Sequence, residues 1–208
     1  MLREACLALL LPAAVTAAVL AEEPKPAYDF TLTRAEKIAL AESAAPPEIS
    51  GKATVFVLEK TGYVKARDGV NGFSCFVDRQ NPLNMEPTCF DAEGSATTLP
   101  TRIYVEEQRG RGLAEEKIQA ELEAGYRSGK FSAPRKPGIV YMLSPEIYLW
   151  IEEAKRMVHA PAHLMFYAPY ATEKDLGSPP GGPGMPHLIR AGKPDAYVVV
   201  VPSTTPPH

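Results

Sequence analysis

Cys75 and Cys89, in NGFSCFVDRQNPLNMEPTCFDAEG (71–94), are the two cysteines beyond the first ten residues. Two such thiols can form a disulfide, hold a metal or supply a nucleophile. Zinc ligation uses paired short spacings such as C-x-x-C, and none occurs. A thioredoxin-like redox pair needs the same short spacing at a helix start. A nucleophilic thiolate needs a base close in space. In an oxidising compartment the two thiols are expected to pair. The intervening DRQNPLNMEPT reads as an irregular loop, and a bridge across it would stabilise the fold by about 3 kcal/mol in the chain-entropy model. Cys75 and Cys89 are therefore expected to form a structural disulfide.

The remaining chemistry-bearing residues form no complete constellation. The histidines are His159, His163, His187 and His208. His159 and His163 flank APA; Pro161 disfavours a helix there, and on a strand they would lie about 13 Å apart, too far to share an ion. H-E-x-x-H and G-x-S-x-G are absent, and RGRG lacks the lysine and hydroxyl of a phosphate loop. Asp78, Glu86 and Asp91 flank the cysteine loop as a candidate carboxylate pair. Aromatic residues gather in the second half. Tyr141, Tyr167, Tyr170 and Tyr197, with His163, are candidate walls of a ligand pocket; core packing is the competing role for the tyrosines. No metal or cofactor is expected.

The start of the chain places the protein. MLREACLALLLPAAVTAAVLAEEPKP has a basic residue, an apolar run and small residues before Glu22, the layout of a secretory signal peptide ending near Ala21. The run is shorter than the roughly 20 residues of a bilayer span and carries Pro12. The expectation is a secreted or periplasmic protein of a bacterial envelope, with no membrane span after leader removal. A net charge of −3 with no basic block gives no reason to bind nucleic acid or anionic membrane.

The elements that must position these residues follow. Residues 1–21 are the expected signal peptide, 22–33 a flexible segment, 34–202 one globular domain and 203–208 a disordered tail. Thr33 and Glu36 match a capping box, and Pro46-Pro47 stop the helix that it starts. Residues 53–59, 62–67 and 73–79 read as strands of an antiparallel meander. Pro100 opens a helix, Gly110 and Gly112 bracket a break, and Ile118, Leu122 and Tyr126 share a face of a second helix that Gly129 caps. Residues 138–143 form a short strand. Ser144-Pro145 and the spacing of Ile147, Trp150, Ile151, Ala154 and Val158 favour a helix over 145–158; two strands joined around Glu152–Lys155 are the alternative. Residues 163–169 and 196–202 are strands, the latter central and buried on both faces. The Gly/Pro-rich 177–186 is a long loop suited to a lid. The fold class is α+β: a largely antiparallel sheet of five or six strands carrying a helical hairpin and an N-terminal helix.

The function read from these residues is a non-catalytic module that binds or senses a small ligand or an envelope partner protein. A hydrolase in which Glu86, Asp91, His159 or His163 converge is the alternative, and a cell-envelope interaction protein is a third.

Overall fold

A computed structural model describes residues 27–177 and 185–201. The expected leader, the tail at 203–208 and most of the 177–186 loop lie outside the described residues.

The first helix is α1 (Arg34–Glu42). Its start is the expected capping box: Thr33 Oγ1 accepts from the Glu36 amide at 3.3 Å, and the Thr33 amide donates to Glu36 Oε2 at 2.8 Å. The segment before it is not loose over its described part. The Ala27 amide donates to the Leu83 carbonyl at 2.9 Å, and buried Tyr28 donates its hydroxyl to the Leu58 carbonyl at 3.0 Å. A buried aromatic anchor fixes this described part to the strands.

After the short α2 (Pro47–Ser50) come β1 (Thr54–Glu59), β2 (Gly62–Arg67) and β3 (Ser74–Asp78). The strands fall where the alternation places them, but they are not a meander. β2 pairs antiparallel with one side of β1, whereas β3 pairs parallel with the other side through Thr54–Ser74 and Val55–Cys75. The chain from β2 to β3 passes around the start of β1, with the Val70 amide on the Lys52 carbonyl and the Thr54 amide on the Phe73 carbonyl, both at 2.8 Å. Gly69 makes the passage possible, since a Cβ there would lie 2.1 Å from the Thr54 nitrogen. The turn residues at 68–72 therefore serve a crossover.

The half-loop after β3 ends in a strand, β4 (Glu86–Phe90), which Pro87 conceals in the sequence. Cys75 and Cys89 are bonded and sit directly opposite each other on β3 and β4, their Cα atoms 4.1 Å apart. That separation marks a non-hydrogen-bonded pair. Val77–Pro87, two positions along, is a pair of the same kind, so the missing amide of Pro87 removes nothing from the β3–β4 ladder. The bridge joins two neighbouring strands where the ends of an irregular loop were expected.

Next come α3 (Ala92–Thr97), α4 (Leu99–Gly110) and α5 (Glu115–Ser128). α4 and α5 are the expected helical hairpin, and Gly129 closes α5 at φ 78°. After β5 (Ile139–Met142), the region favoured as a helix is instead a hairpin of β6 (Tyr148–Ile151) and β7 (Arg156–His159). Ser144 Oγ does accept the Glu146 amide at 3.0 Å, as an N-cap would. Tyr148, however, exchanges backbone hydrogen bonds with Met85 at 2.9 Å, and the Trp150 amide donates to Asn84 Oδ1 at 2.8 Å. These partners, distant in sequence, outweigh the helical spacing.

β8 (His163–Tyr167), α6 (Glu173–Leu176), β9 (His187–Ile189) and β10 (Tyr197–Val200) complete the chain. The described residues form one eight-stranded sheet in the order β2-β1-β3-β4-β5-β8-β10-β9, antiparallel except at β1–β3, with β6–β7 as a separate pair. This is the expected α+β architecture with a largely antiparallel sheet, wider by β4 and β9. β10 is flanked on both sides, and its burial alternates, with Tyr197 and Val199 facing the core. β4 and β5 touch through two residue pairs, Cys89–Tyr141 and Phe90–Val140.

Each face of the sheet has its own cover. On one face α1 lies over Val55, Cys75 and Cys89; Ala41 of α1, with Ala44 and Ala45 just beyond its end, lets the backbone close onto the disulfide. On the other, Phe76, Phe90, Val140, Met165 and Tyr197 pack with Leu99 of α4. No described helix is long and apolar enough to cross a membrane.

Candidate functional site

A cleft of about 650 Å³ opens between α5 and the turn that joins β9 to β10. Gln119, Glu123 and Tyr126 of α5 form one wall; Arg190, Lys193 and Asp195 form the other, and Tyr170 stands at the rim. The walls are joined by Lys193 Nζ donating to Glu123 Oε1 at 2.8 Å. The rim is held by the Tyr170 amide on the Lys193 carbonyl at 2.9 Å and the Gly192 amide on the Ala171 carbonyl at 2.7 Å. Tyr170 (φ 62°) and Arg190 (φ 56°) both occupy the left-handed region, which side-chain-bearing residues rarely adopt. Tyr170 is also 60% exposed, so burial does not account for its placement.

Beneath the cleft lies a chain of buried charges. Asp195 sits between Arg190 Nε at 2.8 Å and Arg102 Nη2 at 3.6 Å, and Arg102 Nε reaches Asp78 Oδ2 at 3.0 Å. Arg79, Glu106 and Arg109 continue the chain to Glu115. The Asp195 and Arg102 contacts are held by charge, without aligned hydrogen bonds. Tyr126 and Tyr197 border the same cluster. Burial pushes the Asp78 carboxyl above its ordinary value despite Arg102 beside it. Burial, with Asp195 nearby, pushes the Tyr126 hydroxyl up to about 12.

A second cavity, of about 240 Å³, lies on the same face of the sheet beneath the β6–β7 hairpin. Its walls are mainly apolar, among them Met142, Leu149, Met165 and Val199, and its ionisable groups are Glu86, His163 and His187. Register explains the convergence: Val199 of β10 stands opposite both Met165 of β8 and His187 of β9, and His163 starts β8 opposite Met142. Glu86 enters from β4. Its Oε2 accepts from the Gln80 amide at 2.9 Å and Asn84 Nδ2 at 3.0 Å. Burial, reinforced by Asp78, pushes its carboxyl up to about 7. His163 donates from Nδ1 to the Pro161 carbonyl at 2.8 Å, and burial holds its pKa below the ordinary imidazole value.

The residues singled out by sequence do not share one pocket. Tyr170 is at the cleft rim, and Tyr197 lies in the buried layer below it. Tyr167 packs on Tyr197 with ring centroids 5.8 Å apart, but its hydroxyl donates to Asp91 Oδ1 at 3.0 Å. Tyr141 lies against Phe73 near the disulfide, on the opposite face. Of the carboxylate–histidine set, Glu86 and His163 do meet in the second cavity. Asp91 instead caps α3 through the Gly94 amide and receives the Ile139 amide, both at 3.0 Å, while exposed His159 ends β7. The residues that sequence reading passed over are Arg102, Glu106, Arg190 and Asp195. The first two left a signal: they are four apart on the buried face of α4 with Leu99 and Val105, where apolar residues belong. Arg190 and Asp195 left none, because turns are rich in charge. Among the described residues no group of three or more His, Cys, Asp or Glu side chains is arranged to hold a metal ion.

Compared with protein-family models, curated proteins and solved structures, the chain matches none.

Proposed function

We propose that the protein is an exported, non-catalytic module that binds or senses a small polar-aromatic ligand in the cleft between α5 and the 190–195 turn. One observation carries this reading: of the three side-chain-bearing residues with positive φ among the described residues, two, Tyr170 and Arg190, line that cleft, while the third, Lys155, sits in the β6–β7 turn. Such strain collects where a binding surface needs a side chain that glycine cannot supply. The volume lies within the range of small-molecule sites, and tyrosines flanked by charged groups suit a ligand with a flat apolar body and a polar edge. Export is supported by the leader-like sequence before Glu22 and by the compatibility of the Cys75–Cys89 bond with an oxidising compartment.

The reading is tested by a metabolite screen on the exported protein, following the NMR signals of Tyr126 and Tyr170. Tyr170→Gly is expected to raise stability by about 1 kcal/mol, because the left-handed strain is released, and to abolish binding of the ligand found. A Tyr170→Gly protein that is less stable, or that binds unchanged, would remove the basis for the proposal. Intact mass before and after reduction should show a start near Glu22 and thiols labelled only after reductant. An uncleaved chain would refute export.

The second reading, a hydrolase, is favoured by the meeting of Glu86 and His163 in the smaller cavity. It requires ester or amide hydrolysis that is lost in Glu86→Gln.

A further inference from the structure

The smaller cavity stands apart from the proposed cleft, and its chemistry is one-sided. Glu86 Oε2 is occupied by two donors, whereas among the described residues no hydrogen bond or ion pair reaches Oε1, and the side chain lines the cavity. His163 gives its Nδ1 proton to Pro161, which leaves Nε2 as an acceptor on a ring that lines the same space. His187 adds a second imidazole, and Gln80 lines the space beside Glu86. The charged groups near Glu86 are Asp78 from β3, which opposes its ionisation, and Arg102 from α4, which favours it more weakly. Arg102 already spends its contacts on Asp78 and Asp195. A buried carboxylate with no cation of its own among the described residues, sharing a cavity with imidazoles and with Met142, Leu149, Met165 and Val199, lacks a cationic donor.

We propose that this cavity binds a small primary amine, its ammonium on Glu86 and its hydrocarbon body against the sheet face. The ammonium supplies the missing counter-charge, and two of its three N–H groups match the carboxylate oxygen and the imidazole acceptor. Binding requires Glu86 ionised, so it releases protons where the free carboxyl is protonated. Protonating His163 also removes an acceptor and places a like charge beside the ligand.

The test uses the full mature chain, with benzylamine as probe and benzyl alcohol as its uncharged counterpart. Calorimetry at about pH 8 and about pH 5.5 should show benzylamine binding at least roughly ten-fold more tightly at the higher value, as a carboxyl titrating near neutrality dictates. Repeating the titration near neutral pH in two buffers of different ionisation enthalpy reads the proton release directly on the unaltered protein. His163 and His187 ring signals should move with the amine while those of Tyr126 and Tyr170 stay, which separates this site from the cleft. Glu86→Gln should lose the preference for amine over alcohol. Equal binding of the alcohol, proton uptake, or movement at the tyrosines alone would overturn the proposal. So would hydrolysis of an ester panel that Glu86→Gln abolishes while amine binding is absent.

Discussion

Glu86 and Arg102 show how burial decides the behaviour of a charge. Glu86 is 4% exposed, and its pKa of about 7 lies above that of the unfolded chain. The folded state therefore holds the proton more tightly, so its stabilising effect is full below the unfolded carboxylate pKa and is lost as pH rises toward 7. The expected result is that wild type loses roughly 3 kcal/mol relative to Glu86→Gln between about pH 4 and about pH 8, measured by urea melts along a pH series. Arg102 is the opposite case, a cation holding two buried carboxylates. Arg102→Met leaves Asp78 and Asp195 without it, and a loss of about 3–5 kcal/mol is expected. Adding Asp78→Asn should recover part of that loss. If the double variant is no more stable than the single one, the unpaired carboxylate is not the cause. Neither residue announced this role. Glu86 looked like one of several carboxylates near a turn, and only the fold shows that it alone enters an apolar cavity with an imidazole.

Elements were legible in proportion to how local their causes are. The capping box at Thr33 and the glycine that ends α5 work within a few residues, and both appear as read. Elements whose partners come from far along the chain were harder. β4 contains a proline that is harmless only because of its pairing with β3, and the β6–β7 hairpin depends on Asn84 and Met85. The order β2-β1-β3 was hidden for a related reason: glycine at 69 signals a turn but not which side of β1 the chain takes next. Gly69→Ala is expected to destabilise by at least about 2 kcal/mol in a chemical melt, since a methyl group would meet backbone, not a movable side chain. An unchanged melt would mean that the crossover is looser than its hydrogen bonds indicate. The disulfide acts at this scale too. Reduction should lower stability by about 3 kcal/mol and first loosen α1, whose Ala41 shares a buried cluster with the two cysteines.

At the scale of the whole molecule, the α+β class and its mainly antiparallel sheet could be read from the alternation of strand and helix patterns, whereas the location of a site could not. The candidate tyrosines belong to three environments, and the cleft is lined by two turn residues whose backbone angles no composition reveals. The narrow β4–β5 ladder has a consequence of its own. Among the described residues two ladder pairs, Cys89–Tyr141 and Phe90–Val140, with Asp91 bonded to Ile139 beside them, join β2-β1-β3-β4 to β5-β8-β10-β9, so a narrow seam of the sheet lies there. The Glu86 cavity straddles that seam, with its carboxylate on one half and both imidazoles on the other. A flexing motion along the seam would change the distance between carboxylate and imidazole while leaving every other ladder intact. Amide hydrogen exchange at residues 139–141 should then be faster than in β8 and β10, and an occupant spanning both halves should slow it like a rivet across a joint.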